Sequence, residues 1–192
     1  LPSDGSAENL RRLADPKQHV DVGFVLEGAA GEKPYENLVS LGSVSYQPLM
    51  IFHRGEKRTL LSQFRGKRIN IGPAGSGTHA LAVALLKANG IEPGGDTTFD
   101  ETDVDDPEKA LREGRFDAMF LMSDSTSSAD IRKLLRDGDI RLFSFVQSDA
   151  YVRRIRTLNK LHLPRGGIDL GADVPAEDVF LVGPTVQLVA RE

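Results

Sequence analysis

The sequence predicts an α/β protein of two lobes joined by two crossing strands, and two observations carry that expectation. Between Leu60 and about Arg156, short apolar runs alternate with amphipathic stretches, the pattern of parallel βαβ units. On either side lies a long β-type run broken by a proline: Leu38–His53, interrupted at Gln47-Pro48, and Val179–Ala190, interrupted at Gly183-Pro184. Proline removes a ladder donor, so inside a strand pattern it marks an edge, a bulge or a bend. Two such runs enclosing one α/β block describe a chain that leaves one lobe, builds a second and returns. Residues 1–47 and 185–192 would form the first lobe and 48–184 the second, with the site in the cleft between them. The same pattern also fits a single sheet with two bulged edge strands.

Within the block, Lys67–Ile71 reads as a strand and Thr78–Ala88 as a helix closed by Asn89-Gly90. Thr97–Thr102 reads as a short strand. Asp106-Pro107 opens a helix, with Asp as N-cap and Pro at the first position, and Gly114 ends it. Phe116–Met122 is almost wholly apolar, as in a strand buried on both faces of a parallel sheet. Ile131, Leu134 and Leu135 share a helix face, Ile140–Val146 is a further strand and Asp149–Arg156 a further helix. Leu163–Ala176 has the Gly/Pro content of a surface loop.

Composition narrows the function. The 192 residues include 40% hydrophobic and 27% charged residues, ordinary for a globular protein, and no cysteine, which removes disulfide and thiolate chemistry. A net charge of −4 argues against nucleic acid, which is held largely by Lys and Arg on phosphates. The acidic run Asp100, Glu101, Asp103, Asp105, Asp106 lacks the Gly and Glu of a calcium loop and reads as a charged strand end leading into a helix. The four histidines are scattered, none at zinc-ligand spacing, so neither metal nor cofactor is expected.

The most informative segment is Gly72-Pro73-Ala74-Gly75-Ser76-Gly77-Thr78, between a strand and a helix. Its glycines let the backbone turn and expose amides, and the following helix start adds unpaired N–H groups and partial positive charge. With the Ser76 and Thr78 hydroxyls this forms an anion site. A small carboxylate, a nucleotide and a plain helix cap remain open; a Walker-type loop would need Lys where Thr78 stands. Gly5-Ser6 precedes a second helix carrying Leu10, Leu13 and Ala14, with Ser6 as its natural N-cap, and that helix start could face the same cleft. Ser123 begins a serine-rich loop at the C-terminal end of the buried strand, where open α/β sheets gather ligands.

Taken together, several segments resemble the TAXI family of solute receptors of TRAP transporters. They are Gly5–Leu10, Val20–Val25, Leu41–Pro48, Phe64–Gly72, Gly75–Thr78, Ala110–Ala118 and the interrupted strand at Gly183-Pro184. The resemblance implies a type II periplasmic binding-protein fold, a periplasmic or extracytoplasmic setting, no catalysis, and a small carboxylate such as an amino or dicarboxylic acid as ligand. It implies membrane subunits of a TRAP transporter as partners. Carried over by position, Ser6, Tyr46, Ser76 and Thr78 would line the site, with the Leu26-Glu27-Gly28 loop nearby; Gly75 and Gly77 of the Gly-rich loop and Ser123 at the strand end, in a loop more polar than the family's, complete the candidates. The family's upstream strand and helix and its final helices are expected to be missing here, and any membrane anchor would lie in such segments. An incomplete first lobe would leave Leu10, Leu13, Val22, Phe24 and Leu188 partly uncovered and invite self-association. The effector domains of LysR-type regulators share this architecture and form the main alternative; an enzyme using the Gly-rich loop for a nucleotide or phosphate is a third.

Overall fold

A computed structural model describes residues 3, 5–29, 35–122, 128–135 and 138–192. The chain runs α1 (Ser6–Ala14), β1 (Val22–Leu26), β2 (Leu38–Tyr46), β3 (Leu49–Arg54), β4 (Arg68–Asn70), α2 (Gly77–Ala88), β5 (Thr98–Asp100) and α3 (Pro107–Arg112). It continues with β6 (Ala118–Met122), α4 (Ser128–Leu135), β7 (Ile140–Leu142), α5 (Ser148–Arg154), β8 (Asn159–Leu163), β9 (Val179–Gly183) and β10 (Thr185–Arg191).

These strands make two sheets. A three-stranded antiparallel sheet has the order β1-β10-β2, and a seven-stranded sheet has the order β5-β4-β6-β3-β9-β8, with β7 also paired to β3. The change of sheet falls at the two prolines. Tyr46 ends β2 and Leu49 begins β3; Gly183 ends β9 and Thr185 begins β10. The two passages lie against each other, because the Gln47 amide donates to the Pro184 carbonyl at 3.0 Å. Glycine is required at 183, since a Cβ there would stand 2.3 Å from the Gln47 oxygen.

β3 explains where the large core sits. Leu49, Ile51 and Phe52 are wholly buried and Met50 nearly so, as in a central strand covered on both faces. Leu49 and Ile51 face a cluster with Leu85 and Leu86 of α2 and Tyr151 of α5. Met50 and Phe52 face a second cluster with Leu111 of α3 and Ile131 and Leu134 of α4. Through the first cluster runs a chain of edge-on rings, His53, Phe64, Phe143, Phe145 and Tyr151, with centroids 5.0–5.7 Å apart.

Several expectations need correction. The alternating block is not uniformly parallel: β4 pairs in parallel with β5 and β6, whereas β3 runs antiparallel to β6, β7 and β9. The reason is that β3, which precedes the block, inserts into its middle. The apolar run from Ile140 does not stay a strand to Val146. It pairs with β3 as far as Leu142, after which the Phe143 amide donates to Ile51 and the Phe145 amide to Phe180. This stretch bridges two strands instead of extending one. β8 went unread, although Asn159–Leu163 alternates between half-buried and exposed positions.

In the small sheet, α1 packs on one face through Leu10, Leu13, Val25 and Val189, so the expected exposure of Leu10 and Leu13 does not occur. Arg191 ties that helix down, donating to the carbonyls of Leu13, Asp15 and Val20 at 2.8–3.0 Å. Among the described residues the opposite face carries exposed apolar groups: Val22 and Phe24 point away from α1, Phe24 is 60% exposed, and Val39 of β2, level with Val22 across Ala190, is exposed too.

Candidate functional site

A cleft of about 310 Å³ opens where the two sheets meet, and the starts of α1 and α2 both face it. From the small-sheet side come Gly5, Ser6, Leu26, Glu27 and Pro184. From the other side come Gly75, Ser76, Gly77 and an apolar wall of Leu81, Ala84, Ile155 and Leu158.

Each helix start is shaped by its sequence. The residue before α1 is Gly5, at φ 112°, a conformation that glycine adopts freely. Gly5 is therefore the N-cap, and Ser6, expected there, is the first helical residue. Its Oγ instead accepts a hydrogen bond from the Leu26 amide at 2.9 Å. The second helix begins one residue earlier than expected, with Ser76 as N-cap accepting from the His79 amide at 3.1 Å. Gly77 is a close-approach position, because a Cβ would come within 2.8 Å of Leu26 and 2.9 Å of Met122.

The electrostatics follow from these bonds. A serine oxygen that accepts from a backbone amide keeps its own proton to donate. Ser6 and Ser76 are both in that state, so each can offer an O–H to a ligand. The first amides of either helix lack carbonyl partners within the helix and carry its positive end. Glu27 is the only charged side chain among the described residues lining the cleft. Its Oε2 accepts from the Thr185 hydroxyl at 2.5 Å, and its amide donates to the Thr185 carbonyl at 2.9 Å.

Of the residues singled out from sequence, Ser6, Glu27, Gly75, Ser76 and Gly77 therefore share one cleft. Tyr46 does not join them. It closes β2 opposite Thr185, is 53% exposed and is not among the lining residues. Thr78 also lies elsewhere: it packs against Gly72 and lines a neighbouring cleft with Asn70 and Thr102. Ser123 lies outside the described residues. The apolar wall was not among the expected residues, since an apolar position on a helix reads equally well as core, and Pro184 was expected as a strand interruption and not as lining.

The neighbouring cleft, about 560 Å³, is the larger, and the acidic run borders it. Two of its acids are already engaged. Asp106 caps α3 at the Lys109 amide, and Glu108 pairs with Arg112 and Lys133. At the adjoining strand end Asp100 accepts from Thr102 and Asn70; burial opposes its charge, but those bonds outweigh it and hold its pKa below the usual value. No group of acids or histidines able to hold a metal ion occurs among the described residues.

Two sheets exchanging two strands, with a cleft at the exchange, define the type II periplasmic binding-protein fold, and solved structures of that class share it. The chain belongs to the NMT1-like family, whose model matches residues 2–190. The periplasmic aliphatic sulphonate binding protein SsuA from Escherichia coli is 19% identical, with a TM-score of 0.50, over 72% of this chain and 46% of that one. A putative periplasmic sulfonate-binding SsuA from Methylobacillus flagellatus KT gives 12% identity and a TM-score of 0.55 over 98% of this chain and 47% of that one. The effector binding domain of a BenM variant gives 10% and 0.56 over 98% of this chain and 69% of its own. The chain thus spans about half the length of the sulphonate-binding proteins it matches. No curated protein matches it in sequence. Among the described residues no helix is long and apolar enough to cross a membrane.

Proposed function

We propose that this chain is the ligand-binding part of an extracytoplasmic solute receptor that captures a small organic anion and performs no catalysis. One observation carries the reading. Two helix starts from different sheets converge on one cleft, each with a serine hydroxyl whose acceptor role is filled and whose proton is free for a ligand. A carboxylate or sulphonate oxygen fits that donor set. The periplasmic setting of the sulphonate-binding neighbours supports the location, and the resemblance of the Gly75–Thr78 and Gly5–Leu10 segments supports a TAXI-type receptor serving the membrane subunits of a TRAP transporter. In this reading the segments before Pro48 and after Pro184 form one lobe and those between form the other. The passages at Gln47-Pro48 and Gly183-Pro184 are the hinges, and the ligand closes the lobes by bonding to both.

The test is calorimetry with a panel of small carboxylates and sulphonates. Replacing Ser6 and Ser76 by Ala is expected to weaken binding by about 1–3 kcal/mol, the range for lost hydrogen bonds to a charged group. Ser76→Asp separates recognition from capping, because it keeps an acceptor for the His79 amide while removing the donor and adding like charge; it should abolish binding. Undiminished affinity in the double Ala variant would sink the reading.

A second reading is a ligand-sensing domain of a transcriptional regulator, favoured by the TM-score of 0.56 with the BenM effector domain. The sequence upstream in the full-length protein decides: a DNA-binding region supports the regulator, an export signal the receptor.

A further inference from the structure

We propose that the cleft selects a zwitterion with an aliphatic body, its ammonium held by Glu27, and turns away dianions. The inference rests on the anion-binding reading and narrows it. It starts from charge. The two helix starts together supply roughly one positive elementary charge, about half from each. Glu27 offsets that charge, and no Lys or Arg stands among the described lining residues. A dicarboxylate would therefore add two negative charges to a partly enclosed site that has no net positive charge to meet them. A zwitterion adds none, and each of its ends finds an opposite partner.

Geometry distributes the ends. Ser6 and Glu27 are neighbours in space, because the amide that holds the Ser6 oxygen belongs to Leu26, the residue before Glu27. Thr185 fixes one carboxylate oxygen of Glu27, and Oε1 has no hydrogen-bond partner among the described residues. A fixed carboxylate with one open oxygen is a directional acceptor for an ammonium group. Opposite, Leu81, Ala84, Ile155 and Leu158 offer only hydrocarbon. That wall suits an unbranched or branched aliphatic side chain; Thr157 beside it adds one hydroxyl but no positive charge to meet a second carboxylate.

Calorimetry with four probes of matched size tests this: L-leucine, 4-methylpentanoate, which lacks only the amine, 3-methylbutylamine, which lacks only the carboxylate, and glutarate. Leucine is expected to bind roughly 10- to 100-fold more tightly than 4-methylpentanoate, the range for one charge-assisted hydrogen bond, and glutarate not at all. Glu27→Gln keeps an acceptor for Thr185, so folding is preserved, as an unchanged melting temperature would show. This variant should lose the preference, leucine falling to the level of 4-methylpentanoate. Tighter binding of glutarate or 4-methylpentanoate than of leucine would overturn the zwitterion while leaving an anion receptor standing. Retention of the leucine preference in Glu27→Gln would overturn the role of Glu27. Absence of binding by all four probes overturns the aliphatic zwitterion, and the wider carboxylate and sulphonate panel then decides whether an anion site exists.

Discussion

Truncating Phe143 to alanine is expected to destabilise the protein by about 3–5 kcal/mol, the range for removing a buried aromatic ring. Phe143 is 1% exposed and stands in the middle of the ring chain, edge-on to Phe64 at 5.7 Å and to Phe145 at 5.0 Å. Its backbone cannot shift to fill the space, because its amide is bonded to Ile51 of the central strand at 2.8 Å. The cavity would therefore stay open, and the penalty should fall in the upper part of that range. Urea denaturation followed by circular dichroism measures it. Leu170→Ala is the control, since Leu170 is 87% exposed and its truncation should change little. A loss below 1 kcal/mol for Phe143→Ala would show that the ring chain relaxes around the gap.

The second large effect is one of pH. His53 is 1% exposed, and burial, reinforced by the nearby Arg58 and Arg141, pushes its pKa down to about 4 against the partial opposition of the Arg54 carbonyl. In the unfolded chain the imidazole titrates near 6.5. Below that pH the unfolded state takes up a proton that the folded state refuses, so stability falls as pH drops from about 6.5 to about 4, then levels off. A shift of that size corresponds to roughly 3 kcal/mol. The measurement is the difference in unfolding free energy between the parent and His53→Gln across this window. Acids that titrate in both proteins cancel in the difference. A difference that stays constant from pH 7 to pH 4 would show that His53 accepts its proton in the folded state.

The sequence announced those features that depend on local backbone chemistry. Pro48 and Pro184 cannot donate to a ladder, and each stands where the chain changes sheet. The Gly75–Thr78 loop could be read as a helix start because glycines between a strand and an amphipathic stretch have few other uses, although the capping role of Ser76 could not. Features set by long-range pairing were not legible. Nothing near Leu49 says that β3 will insert between β6 and β9 and make the sheet mixed. Tyr46 has the chemistry of a ligand contact, yet its place is fixed by register with Thr185, 139 positions away along the chain and invisible locally. The hydrocarbon wall was hidden for a different reason. The run Ala80–Leu86 is apolar all round α2, and period alone cannot tell a wall that meets a ligand from one that meets protein.

The exposed apolar face of the small sheet makes the stability of that sheet a property of the solution as well as of the chain. Val22, Phe24 and Val39 hold apolar surface in water that any covering partner would release. Occupancy of the face and folding of the strands beneath it are then linked by mass action. If the covering partner is another copy of the chain, as self-association requires, the melting midpoint rises with protein concentration. A midpoint indifferent to concentration means that the three strands are held by their ladders and by α1 alone.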